Sequence, residues 1–221
     1  GSEMCIRDSN SSLCGGFNAN VIRHLNEVVA EYEPKVGREN ILIYPVGRKV
    51  ADAVKKMEGL TAAGDYQHMS GKPNYQEAAD LAAELMTRFA SGEIQQVELL
   101  YNHFKSTSTQ VLTRETYLPL DLSAGHTDEN GEEQETMQAD YLIEPSPEQV
   151  MEELLPKVLR MKMYTVLLDS TASEHAARTM AMQIATDNAN DLIQELTLIY
   201  NKSRQQAITN ELLDIVGGSM S

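Results

Sequence analysis

The run LCGGFNAN, Leu13–Asn20, sets two glycines just ahead of a helical pattern. Backbone N–H groups at such a place can hold a phosphate. The run is neither G-x-G-x-x-G nor a P-loop, and the simpler reading is that Gly15 and Gly16 permit a tight strand-to-helix turn. Gly71–Lys72–Pro73 has no Ser or Thr after its lysine, so it is not a Walker motif. His24, His68, His103, His126 and His175 lie far apart, with no H-E-x-x-H or C-x-x-C, and a zinc site would need ligands from unrelated elements. Cys14 has no histidine base nearby in sequence, so a buried small hydrophobe is its simpler role. Glu132–Glu133 and Glu152–Glu153 read as solvated surface. These residues make no catalytic constellation, and no cofactor or metal is expected.

Arg204, Gln205 and Thr209 suggest recognition instead. Arg offers a rigid fork of donors for carboxylates, and Gln and Thr add hydrogen bonds. A plain solvated helix face is the competing reading. All three belong to a stretch, Thr171–Val216, without Pro or Gly and rich in good helix formers. Ser170 or Ser173 is the expected cap and Gly217–Gly218 the expected stop. A helix of about 43 residues runs about 65 Å at ~1.5 Å per residue, so it needs a partner or a socket. Met182, Ala185, Ala189, Leu192, Leu196 and Ile199 recur in steps of three and four, the seam of a coiled coil. In the same register Ser203, Gln206, Asn210 and Leu213 follow, so the seam turns polar. That suits a changing partner, or water.

The earlier chain alternates. Phe17–Lys35 reads as an amphipathic helix capped by Asn18 and ended by Pro34. Glu39–Val46 reads as a buried strand, Gly47–Met57 as a helix, Leu60–Pro73 as a loop or irregular strand and Asn74–Ala90 as a strong helix. Gln96–Phe104 and Ser108–Leu120 read as strands. Strands alternating with helices predict an α/β fold with a mostly parallel sheet. Asp121–Asp140 has seven acids and no base and reads as an exposed loop. Ser146–Pro147–Glu148 starts a helix that Pro156 should interrupt.

Net charge is −15, from 33 acids against 18 bases, which opposes nucleic-acid binding and adhesion to anionic lipid. No run reaches the ~18 apolar residues of a membrane span, so direct membrane insertion is not expected. Cys5 and Cys14 make no disulfide framework.

Ala172–Gly218, with the segment ATDNA at Ala185–Ala189 and Ile208, Thr209, Glu211, Asp214 and Gly218, closely resembles the C-terminal helix of the gamma subunit of F-type ATP synthases. LCGGFNAN is similar to the family's glycine-rich motif. Ser219 stands where the family usually has Ala. The resemblance runs from about Leu13 to the C-terminus. It implies a Rossmann-like α/β domain over residues 13–145, a C-terminal helical region over 146–221, and a stalk helix at about 171–216 that forms an antiparallel coiled coil. It implies a central rotor stalk with no catalysis of its own, coupling ion-driven rotation to ATP synthesis or hydrolysis at the alpha–beta hexamer. The implied partners are the alpha, beta and epsilon subunits and the membrane c-ring, on the cytoplasmic face of a bacterial inner membrane. Arg204, Gln205 and Thr209 match positions that contact the ring of catalytic subunits. Chloroplast members carry a redox-active Cys pair near the acidic loop; this loop has no Cys.

Residues 1–12 do not resemble the family, and its N-terminal helix and first strand are expected to be missing. Two other classes stand beside this reading. An enzyme on a Rossmann-like scaffold would need a nucleotide fingerprint that the sequence lacks, and a generic coiled-coil protein would ignore alpha–beta hexamers. An uncovered seam from Met182 to Ile199 predicts self-association of the isolated chain or a helix folded back on the domain. Sedimentation over a range of concentrations tests this: growing dimer is the expected result, and a monodisperse monomer with a straight, solvated helix contradicts it.

Overall fold

The sheet of this protein, seen in a computed structural model, has five strands in the order β3-β2-β1-β4-β5. The structure describes residues 2–7, 14–57, 59–64, 66–120, 144 and 146–219. The strands are β1 (Ser2–Arg7), β2 (Ile41–Val46), β3 (Thr61–Ala62), β4 (Gln96–Phe104) and β5 (Gln110–Leu118). The helices are α1 (Phe17–Val36), α2 (Arg48–Val54), α3 (Tyr75–Ala90) and α4 (Pro147–Ser219). β1 pairs parallel with β2 and with β4, β2 pairs parallel with β3, and β5 runs antiparallel to β4. The α/β class and the mostly parallel sheet follow the sequence; β5 is the antiparallel exception. A short connection, Lys105–Thr109, joins β4 to β5, too short for the crossover that a parallel pair needs.

One expectation fails at the first strand. Ser2–Arg7, read as unlike the family, fills the slot between β2 and β4, with Met4 opposite Ile43 and Glu98. Composition hid it, because a six-residue strand with two charges shows little periodicity and is set by its neighbours.

Alternation sorts β2 and β4 onto two faces. Ile41, Ile43 and Leu100 pack with Val21, Leu25, Val28 and Val29 of α1 and with Val50 and Val54 of α2. Val97, Leu99 and Tyr101 pack with Ala78, Leu81, Ala82 and Leu85 of α3 and with Leu159, Met163, Val166 and Leu167 of α4. The sheet is therefore covered on both sides, as buried parallel strands require.

Helix ends depart from the sequence reading where packing wins over local signals. Gly16, not Asn18, is the N-cap of α1; Asn18 Nδ2 lies 3.4 Å from Cys14 Sγ. Pro34 sits inside α1, whose end comes at Gly37, with φ of 80°. Asn74 caps α3 through a 3.0 Å bond from Gln76 N–H. Ser146 starts α4, accepting from the N–H of Gln149, with Pro147 at the first helical position. The helix then runs 73 residues, straight through Pro156, Ser170 and Ser173 and past Gly217–Gly218. Pro156 removes one intrahelical donor, yet it lines an apolar recess of about 380 Å³ with Leu155, Leu159, Met86 and Phe89, and burial carries the helix on. Ser170 and Ser173 are no caps: they are buried in the helix interior, 1% and 0% exposed. By contacts the chain divides into Gly1–Arg178 and Thr179–Ser221, a boundary inside α4. Asp121–Asp140 lies outside the described residues.

A carboxylate is buried among the apolar groups. Glu98 of β4, 6% exposed, takes Arg114 Nε at 2.9 Å and Nη2 at 3.1 Å, Tyr32 OH at 2.7 Å and Gln96 Nε2 at 3.0 Å. Arg114 also reaches Glu31 at 2.7 Å and lies over the Tyr32 ring, 5.3 Å from its centroid. One guanidinium thus joins α1, β4 and β5. Truncating it, Arg114→Ala, strands a buried carboxylate and is expected to cost about 3 kcal/mol in denaturant unfolding, with Arg114→Lys in between. Hydrogen bonds from Arg114 and then Lys35 hold the Glu31 carboxyl down at about 2. A depressed carboxylate stabilises above its unfolded value, about 4.3, and that gain is lost as pH falls towards the folded value. Glu31→Gln should therefore lower the melting temperature at pH 7 and leave it unchanged near pH 2; an equal effect at both would remove the ion pair as the cause.

Candidate functional site

Gly15 is the one residue of the glycine pair whose backbone demands glycine. Its φ is +59°, while Gly16, at −78°, is ordinary. The pair thus serves as a turn into α1. Cys14, beside it, is buried at 3% exposure. His24 pairs with Glu27, His68 with Glu77 and His103 with Asp169, so each of these three described histidines already has a carboxylate partner. Among the described residues no group of three or more His, Cys, Asp and Glu side chains could hold a metal ion. No helix among them is long and apolar enough to cross a membrane.

The other candidate is the helix surface. Within Thr179–Ser221, every residue from Met182 to Val216 is exposed. Leu192 and Leu196 are each 55% exposed and Leu198 is 70% exposed. A patch of this kind marks a surface that something covers. The seam residues Met182, Leu192, Leu196 and Ile199 are all on it.

Arg204, Gln205 and Thr209 fall among these exposed residues. At roughly 100° per residue, Gln205 and Thr209 lie about 40° apart, Arg204 is about 100° from Gln205, and all three turn away from the seam. The three do not form one cluster; they spread over about 140° of the helix surface. Thr209 Oγ1 donates to the carbonyl of Gln205 at 2.9 Å, so its hydroxyl keeps only acceptor capacity for a partner. The Arg204 guanidinium makes no ion pair among the described residues, which leaves its donors open. Thr186 and Thr197 make the same back-bond, to Met182 and Ile193, and Gln183 bonds Asp187 four residues on. Those contacts are local to the helix, and sequence reasoning gave no signal for them beyond residue type.

A second set of polar residues escaped the sequence reading. Asp169 accepts the N–H of Phe104 at 2.8 Å and bonds the Nδ1 of His103, and Ser173 Oγ donates to the carbonyl of Asn102 at 2.9 Å. Two residues of α4 thereby hold the last three of β4. The only available signal was that Ser173 falls on the apolar side of the helix, where a polar residue must find a partner.

Comparison with known proteins bears on what this surface serves. The family model described as ATP synthase matches residues 4–221. The ATP synthase gamma chain of Phocaeicola vulgatus is 70% identical over 213 residues, covering 96% of this chain and 72% of that protein. The ATP synthase gamma chain of Bacteroides fragilis is 60% identical over the same shares. In fold, the chain is similar to a chain of the Euglena gracilis mitochondrial ATP synthase, with a TM-score of 0.60 at 24% identity, covering 99% of this chain and 71% of that one. It is also similar to a chain of the Tetrahymena thermophila central stalk and c-ring structure, with a TM-score of 0.56 at 23% identity, covering 84% and 76%. With a matched family model over nearly the whole chain and relatives at this identity, the chain belongs to the ATP synthase gamma chain family.

Proposed function

We propose that this chain works as the central rotor stalk of an F-type ATP synthase, a non-catalytic subunit that couples ion-driven rotation to ATP synthesis or hydrolysis. The observation that carries the reading is the exposure of every residue from Met182 to Val216, apolar ones included, in a helix of this family. A helix with so much uncovered apolar surface is built to be enclosed. Its occupant environment is the inside of an alternating alpha–beta hexamer, with the apolar seam against a second helix and the polar turns near Arg204, Gln205 and Thr209 against the catalytic subunits. ATP chemistry belongs to the beta subunits. The α/β domain meets the epsilon subunit and the membrane c-ring, peripheral to the cytoplasmic face of a bacterial inner membrane.

Rotation does work only if the helix presents different residues in different directions. The spread of Arg204, Gln205 and Thr209 over about 140° of the helix surface supports that: each catalytic site meets a guanidinium at one angle and amide or hydroxyl groups at another. Arg204, with no ion pair of its own among the described residues, is free to take a carboxylate at one rotor angle and release it at the next.

Co-expression with alpha and beta subunits tests the reading. The chain is expected to co-purify with the hexamer. Arg204→Ala should keep assembly while turnover falls by up to about tenfold, the scale of one charge-assisted hydrogen bond. Failure to co-purify overturns the rotor assignment; unchanged turnover removes Arg204 from the coupling contact.

A further inference from the structure

Apolar packing holds α4 against the sheet: Leu159, Met163, Val166 and Leu167 meet Val97, Leu99, Tyr101 and α3. Interdigitated side chains resist sliding, but each contact is weak and without direction. Hydrogen bonds are directional, so a few of them sharpen the register that packing sets.

We propose that Asp169 and Ser173 are positioning residues that pin α4 to the end of β4 and so let this helix carry torque. The inference rests on the rotor reading for its purpose, but the pin itself stands on geometry. Asp169 uses both carboxylate oxygens on neighbouring residues of β4: Oδ1 accepts the Phe104 N–H at 2.8 Å and Oδ2 meets His103 Nδ1. One turn further on, Ser173 is fully buried and donates to the Asn102 carbonyl at 2.9 Å. The contacts span residues 65 to 71 positions apart in sequence, so they are tertiary and not helix caps.

Their placement matters. Among the described residues β1 pairs with β4 as far as Leu100, and Asn102, His103 and Phe104 follow that ladder. On the other side β5 pairs with them, His103 opposite Val111 and Phe104 opposite Gln110. The pin therefore seizes the C-terminal end of β4, where β5 is its paired strand among the described residues. It also sits within the last three turns of α4 before Arg178, where the first compact unit ends. A torsional load entering there falls first on these bonds. Tyr117 OH, which donates to the Leu159 carbonyl at 2.9 Å, and Lys162, which pairs with Glu115 of β5 at 2.9 Å, add further polar ties earlier in α4.

Two readouts test the proposal. In the full-length chain, amide exchange at Phe104 and across residues 160–178 should rise about tenfold in Asp169→Ala, the scale of one lost hydrogen bond to a charge. Asp169→Asn, which keeps an acceptor for Phe104, should restore most of that protection. Ser173→Ala, nearly the same size, is the variant that keeps the fold while cutting the second contact. In the assembled complex, Asp169→Ala and Ser173→Ala should leave ATP hydrolysis near wild type and lower ion-driven ATP synthesis several-fold. A merely structural residue would lower both together. Unchanged exchange overturns the pin. Raised exchange with an unchanged ratio of synthesis to hydrolysis overturns its role in coupling. Failure of the wild-type chain to assemble overturns the rotor reading and with it the coupling role, and the exchange result then decides the pin alone.

Discussion

One stripe of α4, Leu159, Met163, Val166 and Leu167, is buried against the sheet, and the rest of the helix depends on it. Burying four such side chains is worth roughly 6–12 kcal/mol as an upper figure. That is of the order of the whole stability of a domain. It explains why α4 continues through Pro156, which would end an isolated helix. It also explains why Ser170 and Ser173, good caps on paper, lie in the helix interior. Local preferences of about 1 kcal/mol yield to packing several times larger.

Beyond Arg178 the balance reverses. From Met182 to Val216 no residue is buried, and the helix is held by backbone hydrogen bonds, by good helix formers and by a few local side-chain bonds. Helices of this kind take most of their stability from a partner. The two parts of α4 therefore do different physical work. One is anchored by the sheet; the other offers a surface. Arg114 serves the anchored part indirectly, by locking α1 onto the strands that α4 packs against from the opposite face.

Much of this was legible in the sequence, for reasons that can be named. α3 and β4 were predicted within a residue: α3 because its apolar spacing runs over several turns and Gly92 follows its end, β4 from a short apolar run of mixed pattern. The exposed seam was legible because its spacing has one period over many turns. β1 was not, since six residues cannot show a pattern and its pairing comes from strands more than thirty residues away. The continuity of α4 was hidden by Pro156, a signal whose meaning depends on whether Leu155 and Leu159 find a core. The pin at Asp169 and Ser173 was hidden because its partners are backbone groups, which no sequence pattern displays. Arg204, Gln205 and Thr209 were singled out through family resemblance, and only the helix geometry separates Arg204 from the other two.

The proposed rotor role requires that this chain turn inside a ring of catalytic subunits. The most direct measurement fixes an assembled alpha–beta complex to a surface through its beta subunits, attaches a bead to the α/β domain of this chain, and adds ATP. Stepwise rotation in one direction, halting when ATP is withdrawn, is the predicted result. ATP hydrolysis at a normal rate with a stationary bead would contradict the account.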